Sequence, residues 1–102
     1  MSAAPSILYE VSIRVDESIR ADYLLWLREH MTAMLEIDGF ASAELFIDKE
    51  DENRFVCHYR LRDAAAMDAY LAGPAKAMRA DGVNRFGDKF SASRRILRCE
   101  GS

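Results

Sequence analysis

The stretch Asp22 to Phe40, DYLLWLREHMTAMLEIDGF, limits what this chain can fold into more than any other part of it. From Ile19 onward, large residues recur at Tyr23, Trp26, Leu27, Met34 and Ile37, with His30 on the same stripe. Steps of three and four describe a helix with one broad apolar face. A lone helix cannot bury such a face, so a flat partner must lie beneath it.

The rest of the chain predicts a sheet to fill that role. Ile7 to Val15, ILYEVSIRV, alternates with period two, placing Ile7, Tyr9, Val11, Ile13 and Val15 on one side and Leu8, Glu10, Ser12 and Arg14 on the other. Asp16, Glu17 and Ser18 follow as candidate N-caps for the long helix, and Asp38-Gly39 is expected to end it. Phe40 to Asp48 reads as a second strand and Arg54 to Leu61 as a third, with Phe55, Cys57, Tyr59 and Leu61 sharing a face. The acidic run between them, Asp48 to Asn53, lacks the spacing and turn glycine of a calcium loop and reads as a solvated hairpin connection. Asp63 caps a second helix with Met67, Tyr70 and Leu71 inward. Gly73-Pro74 interrupts it, a short helix restarts at Pro74 and runs to about Ala80, and Asp81-Gly82 closes it. Val83 to Phe90 is then a connection that returns Phe86 and Phe90 to the core, and Ser91 to Cys99 is the last strand.

The order β-α-β-β-α-β with right-handed crossovers predicts one domain over residues 1–102, a ferredoxin-like α+β sandwich. It has a four-stranded antiparallel sheet in the order 4-1-3-2, with the helices on one face. No apolar run approaches the roughly 18 to 20 residues of a membrane span. MSAAPSILYE shows no basic-then-apolar secretion signal, so a cytoplasmic location is expected. Cys57 and Cys99 have neither CxxC spacing nor nearby histidines, and are expected as free thiols rather than a metal or redox pair.

The net charge of −3 conceals an imbalance. Residues 1–53 carry twelve acidic and four basic side chains, and residues 54–102 carry five and ten. An acidic total speaks against nucleic acid as a general partner. Arg54 to Tyr59 shares some aromatic character with RNA-recognition strands, but the lysine/arginine-glycine-aromatic opening is missing, and Phe55 and Tyr59 belong to the helix side. The far side of the sheet would carry Glu10, Ser12, Arg14, His58 and Arg60, with Phe46, Leu97 or Ile96 among them. That side is either solvated or the seam of a homodimer. In the dimer, the edge with Glu44 and Asp48 would meet the partner's edge with Arg94, Arg95 and Arg98, and association would weaken with salt.

Two groups of residues resemble a family of small uncharacterised bacterial proteins, a domain of unknown function. The first is Tyr9-Glu10-Val11, Tyr23, Trp26-Leu27, His30, Met34-Leu35 and Gly39-Phe40. The second is Tyr70-Leu71, Met78 to Gly82, Arg85 to Asp88 and Phe90 to Arg95. That family in turn resembles the dimeric α/β-barrel superfamily, with its cofactor-free antibiotic-biosynthesis monooxygenases, small isomerases and haem-degrading enzymes. The resemblance implies a ligand pocket between sheet and helices, lined here by Tyr9, Trp26, His30, Tyr59 and Phe86. His30 in that place is either a general base acting on an acidic phenol or a core histidine bonded to a tyrosine or backbone carbonyl. Trp26 is likewise a pocket wall or simply a core anchor.

No cofactor is expected. His30 and His58 fall on opposite sides of the sheet, which argues against haem, and no ligand cluster has zinc spacing. Arg94 and Arg95 point to alternate faces, so only one can enter a given pocket, where it could bind a carboxylate or phosphate. Two functions follow. One is binding of, or cofactor-independent oxygenase or isomerase-type chemistry on, a small aromatic or polyketide-like molecule. The other is a non-catalytic dimeric interaction or sensory module.

Overall fold

The computed structural model describes residues 4–101. The first three residues of the stretch read for a secretion signal lie outside that range. Strand β1, Ile7–Val15, takes the centre of the sheet, because its inward side chains are all apolar and its outward ones mostly polar. Asp16 then turns the chain: its carboxylate accepts from the Ser18 backbone N–H at 2.9 Å and the Ser18 hydroxyl at 2.7 Å. A single 3-10 turn, Glu17–Ile19, leads into helix α1, Arg20–Met34. β2 (Phe40–Ile47) and β3 (Arg54–Leu61) follow, then α2 (Ala64–Ala72), α3 (Ala75–Phe86) and β4 (Phe90–Arg98).

All neighbouring strands are antiparallel, in the order β2-β3-β1-β4. This is the predicted ferredoxin-like order, with a third helix inserted before the last strand. Residues directly opposite one another share a face. Tyr9 faces Tyr59 and Ile96, and Val11 faces Cys57 and Arg94, all on the helix side. Leu8, Glu10, Ser12 and Arg14 share the far side with Arg60, His58, Val56 and Arg54. Register therefore places Leu97 on the far side and Ile96 on the helix side. A bulge between Phe40 and Ser42 lets Phe40 reach the core while Ser42 and Glu44 point away. The ends of the sheet are tied as well: the Cys99 N–H donates to the Ser6 carbonyl at 2.7 Å.

The core lies between the sheet and the helices and is apolar throughout. Phe55, Cys57 and Leu61 are wholly buried, and they meet Tyr23, Leu27, Met31 and Met34 of α1 and Ala66, Met67 and Tyr70 of α2. Truncating a buried phenylalanine such as Phe55 to alanine costs about 3–5 kcal/mol.

Several expectations need correction. Helix α1 stops at Met34 rather than at Asp38, because Glu36 and Ile37 donate three residues back, to Ala33 and Met34, and tighten the chain into a turn. Gly39 still closes that turn, with φ +92, and a Cβ there would strike the Cβ of Ala66. Leu71 is 41% exposed, and Ala66 takes the inward place beside Met67 and Tyr70. The largest difference is α3, which continues through Asp81-Gly82 to Phe86 and ends at Gly87, whose N–H donates to Val83 at 2.8 Å. Gly82 is not a stop signal. It is a contact point: the Trp26 ring passes 3.0 Å from where its Cβ would stand.

Candidate functional site

Between the sheet, α1 and α3 lies a cavity whose enclosed volume is about 40 Å³. Tyr9, Trp26, His30 and Tyr59 line it together, as the resemblance implied. Phe86 does not line it. Its ring packs behind the wall, 4.9 Å from Tyr23 and 5.8 Å from Trp26. Tyr70, Met78, Arg79 and Arg94 also line it and were not expected there, apart from the possibility that one of Arg94 and Arg95 would enter a pocket.

The Trp26 indole is fixed on several sides. Its Nε1–H donates to Asp81 at 2.8 Å, joining α1 to α3, and its ring stands edge-on to Tyr23 at 5.3 Å. His30, one helical turn further on, stacks on the indole with centroids 4.6 Å apart and planes 24° apart. Among the described residues, no protein group hydrogen-bonds either nitrogen of this imidazole. Burial holds the His30 pKa below its ordinary value; the nearby Asp81 carboxylate works against that shift and Arg94 adds to it. His30 is therefore neutral at neutral pH, with a ring nitrogen able to accept a proton.

The phenols around it are weak acids. Burial, aided by Tyr9, pushes Tyr70 up to about 12, and burial raises Tyr59 and Tyr23 further still. They can donate hydrogen bonds but cannot serve as bases. The Cys57 thiol is pushed up to about 12 by burial and is inert. Arg79 reaches from α3 across the cavity and donates to the Tyr9 hydroxyl at 3.1 Å. Arg94 enters from β4, whereas Arg95 points to the far side and bonds Glu10 at 2.7 Å. His58 completes that far-side cluster, 2.9 Å from the other Glu10 oxygen. Among the described residues, no group of three or more potential ligands could hold a metal ion, and no helix is long and apolar enough to cross a membrane.

The family model for a domain of unknown function, DUF4286, matches residues 6–99. Among solved structures, the chain is similar to SnoaB, a cofactor-independent oxygenase from Streptomyces nogalater, with a TM-score of 0.78, 14% identity and 97% of each chain covered. A dimeric ferredoxin-like protein from an uncultured marine organism superposes with a TM-score of 0.76 at 9% identity, covering 97% of this chain and 99% of that one. An antibiotic biosynthesis monooxygenase gives 0.71 at 16% identity, covering 94% and 98%. At such identities the likeness establishes the fold alone. No curated protein sequence matches this chain.

Proposed function

We propose that this chain, which belongs to the DUF4286 family, binds a small planar molecule in the cavity between sheet and helices, with His30 as general base. One observation carries the reading: a neutral imidazole stacked on Trp26, without a protein hydrogen-bond partner among the described residues, faces a cavity walled by aromatic rings. A base of this kind can take a proton from an acidic phenol or enol. Tyr70 and Arg79 stand on the same cavity to hold the anion that forms. Cofactor-independent oxygenase or isomerase-type chemistry would suit such an anion.

A competing reading, a non-catalytic interaction or sensory module, draws support from the enclosed volume. About 40 Å³ holds roughly one water molecule, whereas ligand pockets commonly run from about 300 Å³ upward. Binding therefore requires the outer end of the cavity to widen.

A screen of aromatic metabolites by thermal shift, repeated on His30→Gln, separates the two. The enzyme reading expects a stabilising ligand whose turnover, not merely its binding, is lost in a variant that still folds. No ligand from the screen, or equal turnover by the variant, would reject it.

We also propose that the far face of the sheet is the seam of a homodimer. Phe46 is 43% exposed there, on the same face as Leu8, Val56 and Leu97. Glu10 already occupies Arg95 and Glu100 already occupies Arg98 within the subunit. The seam thus leans more on apolar contact than on charge, so the salt dependence should be shallow. Sedimentation equilibrium showing a monomer at micromolar concentration would reject the dimer.

A further inference from the structure

Arg79 and Arg94 line the same cavity as His30, yet no carboxylate is among its described lining residues. Five of the eleven arginines, Arg14, Arg62, Arg85, Arg95 and Arg98, each have an acidic oxygen within 4 Å. Arg79 and Arg94 have none among the described residues, and the one polar contact of Arg79 is the neutral Tyr9 hydroxyl. Two arginines without an acidic partner among the described residues thus stand at the exposed rim of an aromatic-walled space, in a protein whose net charge is −3.

Both side chains are exposed at the rim, where water screens them and an anion arriving from solution can reach both. A neutral His30 adds no third charge to that space.

We infer that the ligand of this cavity is an aromatic anion, its carboxylate held at the outer end by Arg79 and Arg94 and its ring turned toward Trp26. The inference rests on the small-molecule reading above and names the chemical class it selects. Guanidinium is the side chain best matched to a planar carboxylate, which it can grip through two parallel N–H bonds. The enclosed volume of about 40 Å³ is too small for a ring. The ring enters by displacing the flexible, partly buried Met78 side chain at the lining.

The test compares matched pairs on the whole protein: benzoate, 4-hydroxybenzoate and 2-naphthoate, each beside its neutral amide. Binding is read by calorimetry and by the emission of Trp26, the only tryptophan. The acid should bind at least about tenfold tighter than its amide. Raising the salt should weaken the acid and leave the amide unchanged. Arg94→Gln should erase the acid's advantage while Arg94→Lys keeps part of it, and far-UV circular dichroism checks that both fold. Because acid and amide are compared first on the unaltered protein, a variant that fails to fold leaves that result standing. Equal binding of acid and amide would overturn the anion inference and spare the small-molecule reading. Binding of neither, by any pair, would overturn both.

Discussion

Gly82→Ala sets two quantifiable effects against each other at the wall of the cavity. In the interior of α3, alanine gains about 1 kcal/mol over glycine from backbone entropy alone. Against this, the new methyl would lie 3.0 Å from Cη2 and 3.5 Å from Cζ2 of Trp26, and 3.5 Å from Cζ of Phe90. An indole free to swing would yield at little cost. This one is held by its bond to Asp81, by the His30 ring stacked on it and by Tyr23 at its edge. Overpacking against a fixed ring costs about 1–3 kcal/mol. The net expectation is a loss of about 1 kcal/mol, or a Tm lower by about 4–8 °C for a chain of this size. Scanning calorimetry measures the loss, and the emission of Trp26 shifts in the same variant. In a Trp26→Phe background the far ring is gone, so the same substitution should instead stabilise, which makes the pair strongly non-additive. A Tm equal to or above that of the parent, with unchanged emission, would refute the claim that the indole is fixed against α3.

Three further outcomes follow from the same geometry. Gly39→Ala should cost about 3 kcal/mol in denaturant unfolding, because strain at φ +92 adds to the collision with Ala66. Gly87→Ala, at φ +61 with open space around it, should cost about 1–2 kcal/mol from strain alone, so equal losses would dismiss the Ala66 contact. The folded-state pKa of His30 lies below its ordinary 6.5, so below that pH the unfolded chain takes up a proton the folded one resists. Stability should therefore fall as pH drops through this range and His30→Gln should flatten the slope; quenching of Trp26 by the imidazolium should titrate with a midpoint under 6.5. Glu10 is held below its ordinary 4.5 first by Arg95 and then by His58, so its contribution is present above that value and is lost as pH falls. Glu10→Gln should cost about 1 kcal/mol at neutral pH and nothing once the native carboxyl is protonated, as urea unfolding at the two pH values would show.

Strands β1 and β3 were legible because a half-buried strand writes its two faces in alternate letters, and Ile7–Val15 and Arg54–Leu61 do so with only Leu8 and Val56 out of pattern. Asp63 was equally plain, since a carboxylate before an alanine-rich run has an N–H to accept, here that of Ala66. The extent of α3 was not. Asp-Gly signals a stop when only neighbouring residues are weighed, and the need for a bare backbone under Trp26 arises from a ring 56 positions earlier in the chain. Met31, four residues after Leu27 and three before Met34, also fits the α1 stripe, and the structure buries it against Cys57. Of the candidate site, the meeting of Tyr9, Trp26, His30 and Tyr59 was what the resemblance implied, as was Phe86, whose ring instead packs behind the wall. Arg79 was not legible, because its reach to Tyr9 depends on how α3 docks. The choice between Arg94 and Arg95 needed the pairing of Arg94 with Val11.

The bond from Cys99 to Ser6 has a consequence for how this chain can be rewired. With those two backbones in contact at one end of the sheet, a short linker could join them without disturbing any strand. Circular permutants opened at the exposed Gly73-Pro74 joint would then free α3 from α2 while keeping the sheet contiguous. In such molecules α3 would be the first element of the chain, so its docking on Trp26 could be weakened or tethered independently of everything beneath it.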